Sequence, residues 1–146
     1  MNHPQIIKLL GKAVLLRQAD DLSGKALLTV SARRWVNSVI HLDLDKSNDI
    51  CKVMANLNAH LFHAAKIIDK EGRDIDTNIL SEQLRISLLG KVTFLRIMDD
   101  KSNYRLLSTT VRQWINNLIH VYSPDCDLVK ASSTASRLLN ALTKGK

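Results

Sequence analysis

Apolar side chains recur along this chain at intervals of three and four, and no stretch alternates long enough to compete as a strand. Positions three and four apart fall on one face of a helix, whereas a half-buried strand would repeat every second residue. The first stretch, roughly 3–19, places Ile6, Leu9, Leu10, Ala13 and Leu16 on such a face. A second, roughly 25–42, does the same with Leu28, Ala32, Trp35, Val39 and Leu42, and Val36 and Ile40 widen the sector to nearly half the circumference. So broad an apolar face predicts the central helix of its unit. The third stretch has the most regular seam, Ile50, Met54, Leu57, Leu61, Ala64 and Ile68, with Gly72 placed as its C-cap.

The same order then returns. Roughly 78–98 carries Leu80, Leu84, Leu88, Val92 and Leu95, and roughly 104–121 carries Leu107, Val111, Trp114, Leu118 and Val121. Ser123, Pro124 and Asp125 supply a capping hydroxyl, a first-turn proline and an acid at the positive end of a dipole. Behind them Leu128, Ala131, Ala135, Leu138 and Leu142 continue a last helix. Residues 9–41 and 88–120 align without a gap at an offset of 79, with 16 of 33 positions identical. The expectation is an all-α protein built by tandem duplication of a three-helix unit. Residues 1–78 form the first repeat and 79–146 the second, joined by a linker at 71–77. Together they make one compact six-helix bundle with approximate two-fold pseudo-symmetry.

Composition narrows the class. Hydrophobic residues make up 45% and charged residues 24%, which suits a packed globular chain and argues against disorder. The longest apolar run is four residues, 13–16, so no membrane span is expected, and no secretory leader pattern opens the chain. Cys51 and Cys126 do not occupy equivalent positions, which points to free thiols and a cytoplasmic setting. The net charge is +7: residues 1–78 hold 11 Lys and Arg against 9 Asp and Glu, and residues 79–146 hold 10 against 5. The surplus sits mainly in the second half, without any basic run. It raises nucleic acid or an acidic protein as partners.

Candidate chemistry comes from the polar positions that both segments keep. Arg33, Asn37 and His41 stand four apart on one helix and recur as Arg112, Asn116 and His120. Their neighbours differ, Arg34 aligning with Gln113 and Ser38 with Asn117. This stripe either borders the core and needs buried partners, or forms a paired binding surface, to which Lys12 and Lys91 add duplicated cations. The expectation divides it: a scaffold role for Asn37 and Asn116, a surface role for Arg33 and Arg112. The twin acids Asp20-Asp21 and Asp99-Asp100 close the first helix of each unit, with Ser23 or Ser102 behind them, and read as turn and ion-pair residues beside Arg17 and Arg96. Gly11 and Gly90, each inside a helix, read as points of close helix packing.

Arg34 and His41, with six residues between them on one helix, resemble the Arg-x4–6-His signature of HEPN-type ribonucleases, which are also helical bundles. That resemblance implies RNA cleavage; it covers two residues, and Gln113 breaks it in the second segment. His60 and His63 have a spacing that could share a metal, but no acid or thiol is spaced to join them. No catalytic residue, metal or cofactor is therefore expected. The leading expectation is a small non-enzymatic regulator or adaptor that binds a protein partner, with homo-oligomerisation open. The alternative is a basic regulator of double-stranded nucleic acid, and the third a HEPN-like ribonuclease.

Overall fold

The computed structural model describes residues 3–24, 27–41, 50–71, 82–121 and 127–144. Among them the chain is all-helical, with six helices and no strand: α1 (His3–Leu22), α2 (Val30–Ile40), α3 (Ile50–Glu71), α4 (Gln83–Lys101), α5 (Thr109–His120) and α6 (Leu128–Lys144). Gly72, Leu80 and the Ser123-Pro124-Asp125 start lie outside the described residues. No described helix is long and apolar enough to cross a membrane.

The centre of the molecule is α1 lying along α4, not the tryptophan-bearing helices that the width of their apolar faces suggested. α2 and α3 pack on α1, while α5 and α6 pack on α4. The reason is in the side chains. On α1, Leu9, Leu10, Ala13, Val14, Leu15, Leu16 and Ala19 are all buried, so this helix is covered on every side. Ile86, Leu88, Leu89, Val92 and Leu95 do the same for α4. The other helices are one-sided and serve as covers. Val36, Val39 and Ile40 are the buried residues of α2, and Ile115 and Ile119 those of α5. A single apolar cluster runs from Leu9 to Ala135 through both halves of the sequence.

Close approach of α1 and α4 depends on two missing side chains. A Cβ on Gly11 would overlap the carbonyl of Ile86, and one on Gly90 would overlap the carbonyl of Ile7. The expectation that these glycines mark tight packing holds, and the cost of glycine in a helix, about 0.5–1 kcal/mol against alanine, is what permits backbone-to-backbone contact.

Trp35 and Trp114, expected in the core, are half-buried at its margin and pack against it. α2 and α5 also begin later than the hydrophobic pattern predicts. Thr29 Oγ1 accepts the amide of Ala32 at 3.1 Å, and Ser108 Oγ accepts that of Val111 at 3.2 Å, so each hydroxyl fixes its helix start. Residues just before these caps are held in a turn by a different device.

Candidate functional site

That device is a buried carboxylate at the end of each central helix. Asp20 and Asp99 are each 1% exposed, the last acids one would expect so near a helix end. Asp20 Oδ1 accepts the amides of Leu27 (3.1 Å) and Leu28 (3.0 Å), and its Oδ2 accepts Arg33 Nε at 2.8 Å. Asp99 repeats this with Leu106 and Leu107 (3.1 Å each) and with Arg112 Nε at 2.7 Å. The guanidinium then returns to the same turn. Arg33 Nη2 donates to the carbonyl of Leu28 at 3.0 Å, and Arg112 Nη2 donates to those of Leu107 (2.9 Å) and Tyr104 (3.0 Å). Each latch thus ties the end of one helix, the turn after it, and the next helix into one hydrogen-bonded unit.

The electrostatics follow from those contacts. Burial alone would raise the Asp99 carboxyl, but the Arg112 bond and the amides of Leu107 and Leu106 outweigh it and hold it below the ordinary carboxylate value. The side-chain bonds to Asp20 and Asp99 raise Arg33 and Arg112 still further. In the second turn Asn103 and Tyr104 both adopt positive φ, 60° and 64°. Asparagine tolerates that conformation and tyrosine does not, so Tyr104 is strained. Its amide bonded to the carbonyl of Asp99 at 2.8 Å and its ring 5.2 Å from the Arg112 guanidinium hold it there.

The remaining expected residues separate into groups. Lys12 Nζ donates to Asn58 Oδ1 at 2.7 Å, and Lys91 Nζ donates to Ser136 Oγ at 2.8 Å, so each lysine fastens a covering helix to its central one. Burial, with Lys8 second, lowers Lys12 below an ordinary lysine. Asn37 and Asn116 keep a buried Oδ1 with no hydrogen-bond partner among the described residues. His41 and His120 are exposed at the ends of α2 and α5. Arg34, the other half of the ribonuclease-like pair, is exposed, and its carbonyl accepts Ser38 Oγ at 3.2 Å. His60 packs its ring 5.5 Å from that of Trp35, and His63 meets Phe62 edge-on. No cluster of three metal-ligating side chains occurs among the described residues.

Several places among the described residues have room for a ligand, and two of them adjoin the helices that carry the duplicated positions. An apolar groove of about 500 Å³ separates α5 from α6, lined by Val111, Trp114, Ala131, Thr134 and Leu138, with Asp127 and Lys130 as its charged residues. A smaller pocket, about 240 Å³, lies where the end of α1 meets the end of α5, lined by Gln18, Asp21, Leu22, His120 and Val121. The chain matches no protein-family model, no curated protein and no solved structure. Function has to be argued from these surfaces.

Sequence reasoning missed both the latch and the pocket beside Gln18. The latch did leave a signal: an Asp and an Arg 13 residues apart in each segment, at Asp20 and Arg33 and at Asp99 and Arg112.

Proposed function

We propose that this chain is a non-enzymatic helical adaptor that binds a protein partner through the groove between α5 and α6. One observation carries the reading: Trp114 is half-buried and lines an open groove whose other walls are mostly apolar. Tryptophan is a large contact area at small entropic cost, and apolar grooves between helices suit the apolar face of a partner helix. Asp127 and Lys130 then supply the charged contacts that fix orientation. At the aligned position in the first half, the ring of His60 lies against Trp35, so the first tryptophan is already engaged by α3.

The reading includes an architecture. The two halves are copies of one unit, related by an approximate two-fold axis that passes between α1 and α4. Three things support it: the 16 identical positions at offset 79, the two matching Asp–Arg latches, and the reciprocal glycine contacts, since 7 and 86, like 11 and 90, differ by that same offset.

The test is capture of partners from lysate by the full chain, with and without nuclease, followed by the Trp114→Ala variant. A nuclease-resistant protein partner that Trp114→Ala fails to hold supports the proposal. In a Trp35→Phe background, binding should also shift the emission of the remaining Trp114 to the blue. Nuclease-sensitive capture would hand the function to nucleic acid, and undiminished binding by Trp114→Ala would remove the groove from the account.

A further inference from the structure

The crossing of α1 over α4 also forms a cleft, apart from the groove between α5 and α6. It holds about 370 Å³ and is lined by Ile7 and Lys8 of α1 and by Gln83, Ile86, Ser87 and Lys91 of α4. A volume of that order suits a small organic molecule. Its apolar wall is fixed by the glycine contacts. The backbone of Ile86 lies against Gly11 and that of Ile7 against Gly90, so both isoleucines are held at the crossing itself.

The charge of the cleft is one-sided. Lys8 and Lys91 both line it, and no acid does. Neither lysine has an ion-pair partner among the described residues. Lys91 Nζ donates to two neutral hydroxyls, Ser136 Oγ at 2.8 Å and Ser132 Oγ at 3.4 Å, which hold the ammonium without cancelling its charge. An ammonium has three N–H donors, so one remains for a further acceptor. Lys12 lies one turn beyond Lys8, and the Lys8 charge bears on it after burial, so cations crowd this part of α1. At the offset of 79, Ser87 aligns with Lys8, and the cleft therefore sets one ammonium and one hydroxyl at aligned positions. Lys12, aligned with Lys91, is instead taken up by Asn58.

We infer that this cleft binds a small amphipathic acid. Its anionic head meets the Lys8 and Lys91 ammonium groups, with Ser87 and Gln83 as further donors, and its hydrocarbon body covers Ile7 and Ile86. Charge-assisted bonds favour the anion, and removal of apolar surface from water favours the body. An inorganic anion would leave the isoleucines uncovered, and a neutral hydrocarbon would leave both cations unmatched. Only a ligand that joins head and body answers the whole lining. The inference goes beyond the α5–α6 groove and does not rest on it.

The experiment follows the Ile, Leu and Val methyl signals of the full chain by NMR at neutral pH. The titrants are octanoate, kept below its micelle concentration, and octanol and acetate. Octanoate should shift the Ile7 and Ile86 signals saturably. Octanol lacks the charge and acetate lacks the body, so each should bind at least about tenfold more weakly. Lys8→Glu alters only an exposed side chain and should weaken octanoate binding by about tenfold or more, whereas Lys8→Arg keeps the charge and should retain it. Should Lys8→Glu fail to fold, Lys8→Gln should show a loss in the same direction. Trp114→Ala should leave the Ile7 and Ile86 shifts intact, which separates failure of this cleft from failure of the groove. No saturable shift at Ile7 and Ile86, or shifts confined to Val111 and Leu138 of the groove, overturns the inference. So does octanol or acetate binding as tightly as octanoate, or a folded Lys8 variant without its charge that binds like the wild type.

Discussion

Replacing Asp99 tests the latch most directly, because two substitutions take it apart in steps. Asp99→Ala removes the acceptor for the amides of Leu106 and Leu107 and the partner of Arg112 at once. The Leu107 amide belongs to a buried residue, so orphaning it costs about 1–3 kcal/mol; that of Leu106 belongs to an exposed residue and can turn to water. With the charge-assisted bond lost as well, the expected total is about 2–4 kcal/mol, a large part of the 5–15 kcal/mol that holds a typical domain together. Asp99→Asn keeps an oxygen for both amides but turns an NH2 donor toward the Arg112 Nε donor. It gives up the ion pair and its hydrogen bond while the turn stays paired, so it should cost less than Asp99→Ala. Urea melts at constant pH measure both.

Acid supplies the second axis. The folded pKa of Asp99 is depressed, so its contribution is present above the unfolded value of about 3.9 and is lost as pH falls through the lower folded value. The difference between wild type and Asp99→Asn should therefore be constant from pH 7 to pH 5 and shrink below pH 4. A difference that ignores pH down to that range, or an Asp99→Ala variant that loses under about 1 kcal/mol, would refute the latch.

Three further expectations use the same melts. Gly90→Ala gains about 1 kcal/mol in helix propensity, yet forces a methyl against the Ile7 carbonyl, which is backbone and cannot swing aside; net destabilisation of about 1–3 kcal/mol is expected, and a stabilised variant would contradict the close crossing. Ser108→Ala should cost about 1 kcal/mol through loss of the Val111 cap, and Ser108→Asp should restore most of it. Gln18→Leu removes two bonds to the carbonyls at the end of α5 but also its own unpaired oxygen, so a loss of about 1 kcal/mol or less is expected; a loss above about 3 kcal/mol would mean that Oε1 has a partner after all.

Much of the fold was legible because helical periodicity is local. The spacing of Leu57, Leu61, Ala64 and Ile68 alone specifies the buried face of α3. Breadth of the apolar face does not mark the inner helix: α2 and α5 have the broad faces yet are one-sided covers. The better sign was the unbroken run Ala13, Val14, Leu15, Leu16, which leaves no polar side for water. The latch escaped for a different reason. Arg17 and Arg96 sit three and four residues from the acids, within reach along one helix, whereas the real partners lie across a turn that only the folded chain closes. The Gln18 contact was harder still, since Gln18 and the carbonyls it holds are a hundred residues apart. Its aligned counterpart, Ile97, gives no hint of a polar contact.

The crossing of α1 over α4 also sets how this chain behaves in company. Gly11 sits on Ile86 as Gly90 sits on Ile7, so the surface each central helix offers is the one the other accepts. Two molecules could satisfy the same crossing by trading halves, with α1 of one seated on α4 of the other. The covalent connection decides against this at ordinary dilution: it presents the halves to each other at an effective concentration on the order of millimolar, far above that of a second molecule. Cutting the chain between α3 and α4 abolishes that advantage and turns an internal contact into an ordinary bimolecular equilibrium. Tethering also relaxes the demand on the contact itself. A pair of free subunits must earn its association at every position, whereas joined halves can hold different residues at Gln18 and Ile97 and remain together.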